Sequence, residues 1–555
     1  MAERAAAAAA PARMRWWGWG DPAHPPVLPA HALAFLGEHV GVAGKPRAPV
    51  ALAHVRVAPS ALRAAVRVQL AALLGERGVR VEHAERVAHA AGKGYPDLVR
   101  MRAGAPEGAP DAVVYPTAHE QLRALLELCE RESLAVVPFG GGTSVVGGVA
   151  PLRGEHAGVL ALDTAGMAQV LGIDGESATV SVQAGVRAPA LERHLAARGL
   201  TLGHFPQSFE YVSLGGCAAT RSAGQASSGY GAIAKMVVGA RMAAPGGELA
   251  LPALPASAAG PDLRALVVGS EGTLGVISEL ALRVRPAPRE RIYEGAFFED
   301  LQAGMQALRA MARAHALPEV ARLSDEQETR MQLALAGAGA KGRLTRAYLG
   351  VRGYAQGCLT ILGFEGEREE VAWRRRRALA LVRAHGGLGV GRSPGEAWLR
   401  GRFEAPYMRD ELLAHGVMVE TLETAAQWSS LARLHRTVGE AIAAALRAQG
   451  TPGLVMCHVS HVYETGASLY FTLIARQREG DEIGQWLAVK RAAGDAIAAG
   501  GGTITHHHGV GRDHPRWLPG ELGDGGVAAL GALKARLDPA GIMNPGKLLP
   551  ALSAG

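Results

Sequence analysis

The chain is short of cysteines and aromatics and has no long apolar run, and each shortage removes a class of answers. Its four cysteines, Cys129, Cys217, Cys358 and Cys457, stand far apart, with no C-x-x-C pair. Neither a zinc ribbon nor a disulfide framework is expected, and a reducing cytoplasm is the natural compartment. No apolar stretch approaches ~18 residues without charge or glycine, so no transmembrane helix is expected. Aromatics make up 5% of the chain, and no aromatic–basic interleaving accompanies the net charge of +7. Nucleic acid is therefore not an expected partner. The N-terminal "MAERAAAAAAPARMR" carries Glu3 and only weakly hydrophobic alanines; it reads as a frayed tail, not a secretory signal.

What is present fits a globular enzyme. Hydrophobic residues are 48% and charged residues 20% of 555 residues, a length that implies two or three domains. Arginine outnumbers lysine 51 to 7, the bias of a GC-rich, bacterial genome. In "EGEREEVAWRRRRALALVR" acids precede bases, which suits a helix dipole and reads as a solvated helix face.

Residues 1–105 read as a mostly helical segment, for example "SALRAAVRVQLAALLGERG" (60–78). From Asp111 the texture changes to strand "DAVVYP", helix "TAHEQLRALLELCERE" and strand "LAVVPF", which runs directly into "GGGTS". Thr117 is expected to cap that helix, with Glu120 completing a capping box. Strands "GVLALDT" and "SATVSVQAGV", helix "RAPALERHLAARG" and the segment 262–286 follow, and Pro286 and Pro288 close the unit. The expected division is a helical segment 1–105, a cofactor domain 106–288, a substrate or cap domain 289–500, and a segment 501–555 that packs back on the cofactor site. The third unit is expected to be α/β with a largely antiparallel sheet, including "ASLYFTLIA" (467–475).

Three glycine-rich loops carry the chemistry of the second unit. "PFGGGTSVVGG" (138–148) offers Gly140, Gly141 and Gly142 for close backbone approach, and its N–H groups can form an anion nest. Thr143 and Ser144 add hydroxyls; the spacing is neither Walker A nor G-x-G-x-x-G. "PQSFEYVSLGGCAATRSAG" (206–224) and "GSEGTLGVI" (269–277) are the other two. Three such loops in one domain suggest an extended cofactor held largely by backbone.

In that order the loops resemble the vanillyl-alcohol-oxidase (PCMH) type of FAD-binding domain, so the fold class is α+β with a cap. The resemblance implies FAD contacts from Pro138, Phe139, Gly140, Gly141, Gly142, Thr143, Ser144 and Val145 in the first loop. The second would contribute Gln207, Ser208, Phe209, Glu210, Tyr211, Val212, Ser213, Gly215, Gly216, Thr220, Arg221, Ser222, Ala223 and Gly224. The third would contribute Glu271, Gly272, Thr273, Leu274, Gly275, Val276 and Ile277. Some members of this superfamily attach flavin to a histidine at or near the first loop; "GGGTSVVGG" has none, so noncovalent FAD is expected.

Two branches of that superfamily diverge in the second half. Enzymes acting on 2-hydroxy acids carry H-x-G-D-G-N-x-H and G-E-H-G-x-G, which bind a divalent metal. Here "CHVSHVYETGASLYFTL" (457–473) keeps His458 without G-D-G-N, and "THHHGVG" (505–511) has His507–His508 where E-H would stand. No metal is expected, although a neutral all-imidazole site stays open in principle.

"RWWGWGDP" (15–22), "VARLSD" (320–325), "APYMRDELL" (405–413), "VETLETAAQW" (419–428), "GASLYFTL" and "THHHGVG" resemble instead the alkyldihydroxyacetonephosphate synthase family. That resemblance implies exchange of the acyl chain of 1-acyl-dihydroxyacetone phosphate for a long-chain alcohol, with flavin N5 bonding substrate C1 and no net redox. It aligns Tyr470 with an acid/base tyrosine, His506, His507 and His508 with a triple-histidine motif, Arg322 with a required arginine, and Arg409 with a substrate-binding arginine. His204 is expected to face the flavin and substrate, and the histidines are expected to lower the Tyr470 pKa. Two departures stand out: Pro206–Gln207–Ser208 lacks the family's acid, and "GRDHPRWLP" (511–519) is expected to reshape the pocket entrance. The alternatives are an FAD-linked oxidase or dehydrogenase of a 2-hydroxy acid or other alcohol, and a flavin-binding scaffold. A lipid-like substrate implies peripheral contact with the inner face of a membrane, and the family implies a homodimer.

Overall fold

A computed structural model describes residues 14–21, 28, 30–41, 45–335 and 340–550. The expected frayed alanine tail lies outside the described residues.

The first sheet is built from β1 (Val79–Arg80), β2 (Ala112–Val114), β3 (Leu134–Phe139) and β4 (Gly158–Asp163), in the order β1-β2-β4-β3. β2, β4 and β3 run parallel and β1 is antiparallel to β2. Their unbroken apolar runs reflect burial on both faces. β1 comes from the segment read as helical, so this sheet begins upstream of residue 106. The open edge of β3 is covered by the C-terminal tail: Val136 donates to Ile542 O and Asn544 donates to Val136 O, both at 2.8 Å.

The helix after β2 spans His119–Arg131 and is capped differently from expectation. Its N-cap is Ala118, with no side-chain cap bond. The helix starts late enough that Gln121, not Glu120, occupies the third position, and Gln121 Oε1 accepts from Thr117 N at 2.8 Å.

Next come β5 (Val170–Asp174), β6 (Thr179–Gln183), β7 (Leu200–Thr201), β8 (Val237–Ala244), β9 (Gly247–Leu251), β10 (Val276–Arg283) and β11 (Arg285–Pro286). β7 and β11 pair with each other; the rest form an antiparallel sheet ordered β5-β6-β10-β8-β9. The cap contributes β12 (Glu290–Phe298), β13 (Val320–Ser324), β14 (Cys358–Gly366), β15 (Leu388–Gly391), β16 (Val417–Gln427), β17 (Gly453–Val462) and β18 (Gly466–Arg476). These make a seven-stranded sheet, β15-β12-β14-β13-β17-β18-β16, antiparallel throughout. The expected combination of an α/β domain with a largely antiparallel cap is therefore present.

One face of the cap sheet is buried under helices Leu301–Arg313, Arg368–Ala384, Trp428–Ala448 and Glu482–Ala499. The Trp428–Ala448 helix shows why: Leu431, Leu434, Val438, Ile442 and Leu446 recur at three- and four-residue spacing and are all buried. Truncating one such leucine to alanine costs about 2–5 kcal/mol. The arginine block corrects the expectation of a fully solvated face. Arg374 is buried against Glu319, and Arg375 pairs with Glu294 at 2.6 Å, while Arg376 and Arg377 are exposed. Among the described residues no helix is long and apolar enough to cross a membrane.

Candidate active site

Strand periodicity sets the site. On β18, Leu469, Phe471 and Leu473 enter the helix-covered core, so Tyr470 projects from the other face. In the antiparallel register Tyr470 lies opposite Glu423 of β16 and His458 of β17, and His458 lies opposite Ser324 of β13. Farther along this face, Val417, Val419, Met456 and Ile474 are covered by helix Ala30–Val40. The polar residues thus form a window in an otherwise sealed sheet. A register shift between Val459 and Val462 widens it. Both valines are in the core, so the extra residue between them turns His461 to the same side as His458.

The loop 505–511 closes over this window and is pinned at both ends by buried carboxylates. Glu423, 3% exposed, accepts N–H bonds from His506, from His507 at 2.9 Å and from His508 at 2.7 Å, and a hydroxyl bond from Thr505 at 2.8 Å. Burial alone would raise its carboxyl; the surrounding imidazoles and loop N–H donors hold it well below the usual carboxylate range. At the far end Glu271 accepts from Val510 N and Gly511 N, each at 2.7 Å. Burial wins there, raising Glu271 to about 7 despite those two donors. "GRDHPRWLP" braces the same loop: Arg512 pairs with Glu107 at 2.8 Å, and His514 Nδ1 lies 3.0 Å from Gly509 O.

Imidazoles surround Tyr470. His458 stacks on its ring at 4.9 Å, His507 lies nearly parallel at 6.1 Å, and His508 meets it edge-on at 5.5 Å. His506 bonds the Tyr463 hydroxyl at 2.6 Å and stacks on His461 at 4.9 Å. Burial lowers His506 and His507 to about 4 and lowers His508 as well, so all three are neutral at pH 7. Tyr470 departs from expectation. Its pKa is pushed up to about 12, because burial and the nearby Glu423 charge both oppose ionisation and outweigh a Thr421 hydrogen bond.

The two arginines are not equivalent. Arg322 is committed: Nη2 pairs with Glu328 at 2.8 Å and Nη1 meets His458 Nε2 at 3.0 Å. His458 Nδ1 lies 3.1 Å from Glu328 and 3.0 Å from Arg322 Nη2; a proton on Nδ1 would bond the carboxylate and leave Nε2 to accept from Arg322 Nη1. Burial opposes the Glu328 charge, but Arg322 and His458 hold that carboxyl far below the usual range. Arg409, on helix Ala405–Ala414, has a buried Nε with no partner among the described residues, and its charge is felt at Tyr470 and His508. "RWWGWG" holds that helix: Trp19 donates its backbone N–H to Asp410 and packs edge-on against Tyr211 at 5.5 Å and Tyr407 at 6.5 Å.

The glycine-rich loops interlock through backbone. A Cβ on Gly140 would fall 2.2 Å from Ser213 Oγ, and one on Gly141 would fall 2.4 Å from Tyr211 O. Gly142 and Gly272 have φ of +66° and +71°, conformations that disfavour other residues. Several hydroxyls serve the loops themselves. Ser144 accepts from Gly148 N, Ser213 caps helix Leu214–Ala219, Thr220 donates to Gly216 O and Thr273 to Ser270 O. Side chains of 207–211 turn toward the cap: Gln207 donates to Arg402 O, Phe209 stacks on Phe403, and Glu210 accepts from Tyr407. Leu274, Val276 and Ile277 are core. Ser270 Oγ and His204 Nδ1 are buried without partners among the described residues. His204 Nε2 lies 3.1 Å from Ser222, and burial lowers the ring to about 4. Close-packed glycines and two orphaned polar atoms fit an extended, backbone-held cofactor.

The family described as "FAD binding domain" matches residues 110–250, and "FAD linked oxidases, C-terminal domain" matches residues 287–548. An alkyldihydroxyacetonephosphate synthase of Dictyostelium discoideum is 34% identical over 475 residues, covering 84% of this chain and 78% of the relative. One from Trypanosoma brucei brucei is 32% identical over 567 residues, covering 97% and 92%. The chain belongs to the alkyldihydroxyacetonephosphate synthase family. A solved alkyldihydroxyacetonephosphate synthase superposes with a TM-score of 0.84 at 28% identity, covering 97% of this chain and 99% of that one. The chain is thus an FAD-dependent enzyme of the synthase type, not of the 2-hydroxy-acid oxidase type. Within this synthase fold, sequence reasoning passed over Glu423, Glu328, His461 and Tyr463. A glutamate inside the apolar strand "VETLET" and a second histidine in "CHVSH" were the available signals.

Proposed function

We propose that the enzyme exchanges the acyl chain of 1-acyl-dihydroxyacetone phosphate for a long-chain fatty alcohol, releasing fatty acid and leaving no net oxidation. The observation that carries this reading is the surround of Tyr470: neutral imidazoles on three sides, with the Arg409 guanidinium nearby, its buried Nε unpartnered among the described residues.

FAD, bound noncovalently by Gly140–Ser144 and the two later loops, supplies the covalent chemistry at the substrate carbon. The protein binds the phosphate and moves protons. Arg409 binds the phosphate, since Arg322 already spends its Nη groups on Glu328 and His458; a planar guanidinium suits that bidentate task. Arg322 sets the tautomer and tilt of His458. With imidazole lone pairs free at pH 7, His506–His508 are the bases and hydrogen-bond partners. Tyr470, protonated with its pKa pushed up to about 12, is the proton donor to the departing carboxylate, while a loop histidine takes the proton that the entering alcohol gives up. His204, buried beside Ser222 of the second loop, is assigned to the flavin and substrate pocket. The reading extends to a homodimer that meets its lipid substrate at a membrane surface, and to the four-part division of the chain at residues 105, 288 and 500.

The test is incorporation of labelled fatty alcohol into acyl-dihydroxyacetone phosphate without oxygen or electron acceptor. Exchange is expected in wild type and lost in Arg409→Met with FAD retained. Bleaching of the flavin by a 2-hydroxy acid, without exchange, would overturn the reading.

A further inference from the structure

His461, His506 and His507 converge: one ring nitrogen from each lies within 4.8 Å of the others. They arrive from two elements, His461 from the bulge of β17 and the other two from the histidine loop. The roles proposed above use only the loop residues and leave His461 without a task.

His461 is 4% exposed, yet its Nδ1 has no hydrogen-bond partner among the described residues. A buried, unpaired ring nitrogen is costly and asks for an explanation. His506 Nδ1 and His507 Nδ1 face each other at 2.9 Å, a contact that needs a proton from one of them. Partners outside the cluster hold these rings. The Tyr463 hydroxyl bonds His506 Nε2 at 2.6 Å, and the Glu423 carboxylate lies 3.5 Å from His507 Nδ1. Hydroxyl and carboxylate partners around a histidine cluster are what orient imidazoles as metal ligands and offset an ion's charge.

The donor set selects the ion. Three imidazoles with no thiolate or carboxylate ligand suit zinc and similar borderline transition ions, and disfavour magnesium and calcium. Zinc–nitrogen bonds of about 2.0–2.1 Å need nitrogens roughly 3.3 Å apart, within reach of small ring rotations from the present spacing. This set differs from the His-His-carboxylate trio of the 2-hydroxy-acid enzymes, because its third ligand comes from the β17 bulge. We propose that His461, His506 and His507 bind one zinc-class divalent cation, and that its occupancy inhibits exchange by tying up the loop histidines. The inhibitory half rests on the function proposed above; the binding half does not.

Untagged, FAD-loaded, chelator-treated enzyme is dialysed against zinc at pH 7.5, and bound metal is measured by atomic emission. One zinc per chain is expected, undiminished by millimolar magnesium, with exchange falling at least tenfold as the site fills. His461→Gln is expected to keep its FAD and weaken zinc binding at least tenfold. X-ray absorption of zinc-loaded wild type, which needs no variant to fold, should show an all-nitrogen/oxygen shell with imidazole scattering. Sub-stoichiometric zinc, equal binding by His461→Gln, or sulfur in the shell would overturn the site. Stoichiometric zinc with unchanged exchange would overturn the inhibitory half.

Discussion

The FAD-domain loops and the cap-sheet window meet at one site but are built from opposite materials. In the loops the side chains are absent or turned inward: Gly140 and Gly141 leave no room for a Cβ, and Ser144, Ser213, Thr220 and Thr273 bond their own turns. In the window the backbone is ordinary strand and the side chains hold the chemistry, with Tyr470, His458 and Glu423 in one register row. The loops should therefore fail when atoms are added and the window when functional groups are removed. Each half can be tested by its own kind of substitution.

The largest effect belongs to the loops. In Gly141→Ala the new methyl would lie 2.4 Å from Tyr211 O and 3.0 Å from Val212 Cα, both backbone atoms that cannot swing aside. The protein is expected to purify with at least tenfold less FAD per chain, read from flavin absorbance. Gly172→Ala, which meets nothing within 4 Å, should keep its FAD. Equal retention by both would break the comparison. Next comes Tyr470→Phe, which keeps the ring stacked on His458 and loses only the hydroxyl. Exchange should fall by about 10²–10⁴, the usual worth of a positioned acid, with FAD content and thermal unfolding unchanged.

Glu423→Gln should fall between structure and chemistry. Its amide nitrogen would face loop N–H groups, and each donor left unsatisfied costs about 1–3 kcal/mol. We expect a roughly tenfold loss of exchange with FAD retained, and faster amide hydrogen exchange across 505–508. Unchanged protection in that segment would show that the loop holds itself.

These contrasts also mark what could be read in advance. Glycine spacing exposed the three loops because a backbone-held ligand leaves its mark in residue type. Tyr470 was marked by the family resemblance of "GASLYFTL", and the strand's period of two explains why it leaves the core face. Glu423 was hidden, since a glutamate in "VETLET" reads as a surface charge until the loop that covers it is in place. His461 was hidden for a different reason: the bulge between Val459 and Val462 breaks the period and reverses the face on which it would be placed. That Arg322 is already committed was hidden, because its commitment depends on His458, 136 residues away. The Tyr470 pKa moves opposite to expectation because burial opposes the phenolate and leaves the neighbouring histidines neutral.

That last correction gives the smallest and most specific effect. His204, His506 and His507 sit near 4 in the folded chain because burial penalises the imidazolium, while an unfolded histidine titrates near about 6.5. Between those values the unfolded chain binds more protons, so stability is full above about 6.5 and declines as pH falls toward 4. The decline is up to ~1.4 kcal/mol per pH unit for each such group. His506 and His507 stay largely unprotonated down to pH 5. From pH 7 to pH 5 the melting temperature should therefore drop while kcat for exchange, measured well below melting, stays flat. His204→Asn should make the melting curve shallower by one group's share. A kcat inflection near 6.5 would mean that the imidazoles beside Tyr470 are solvated in the working enzyme, and the window would then be as open as the loops are closed.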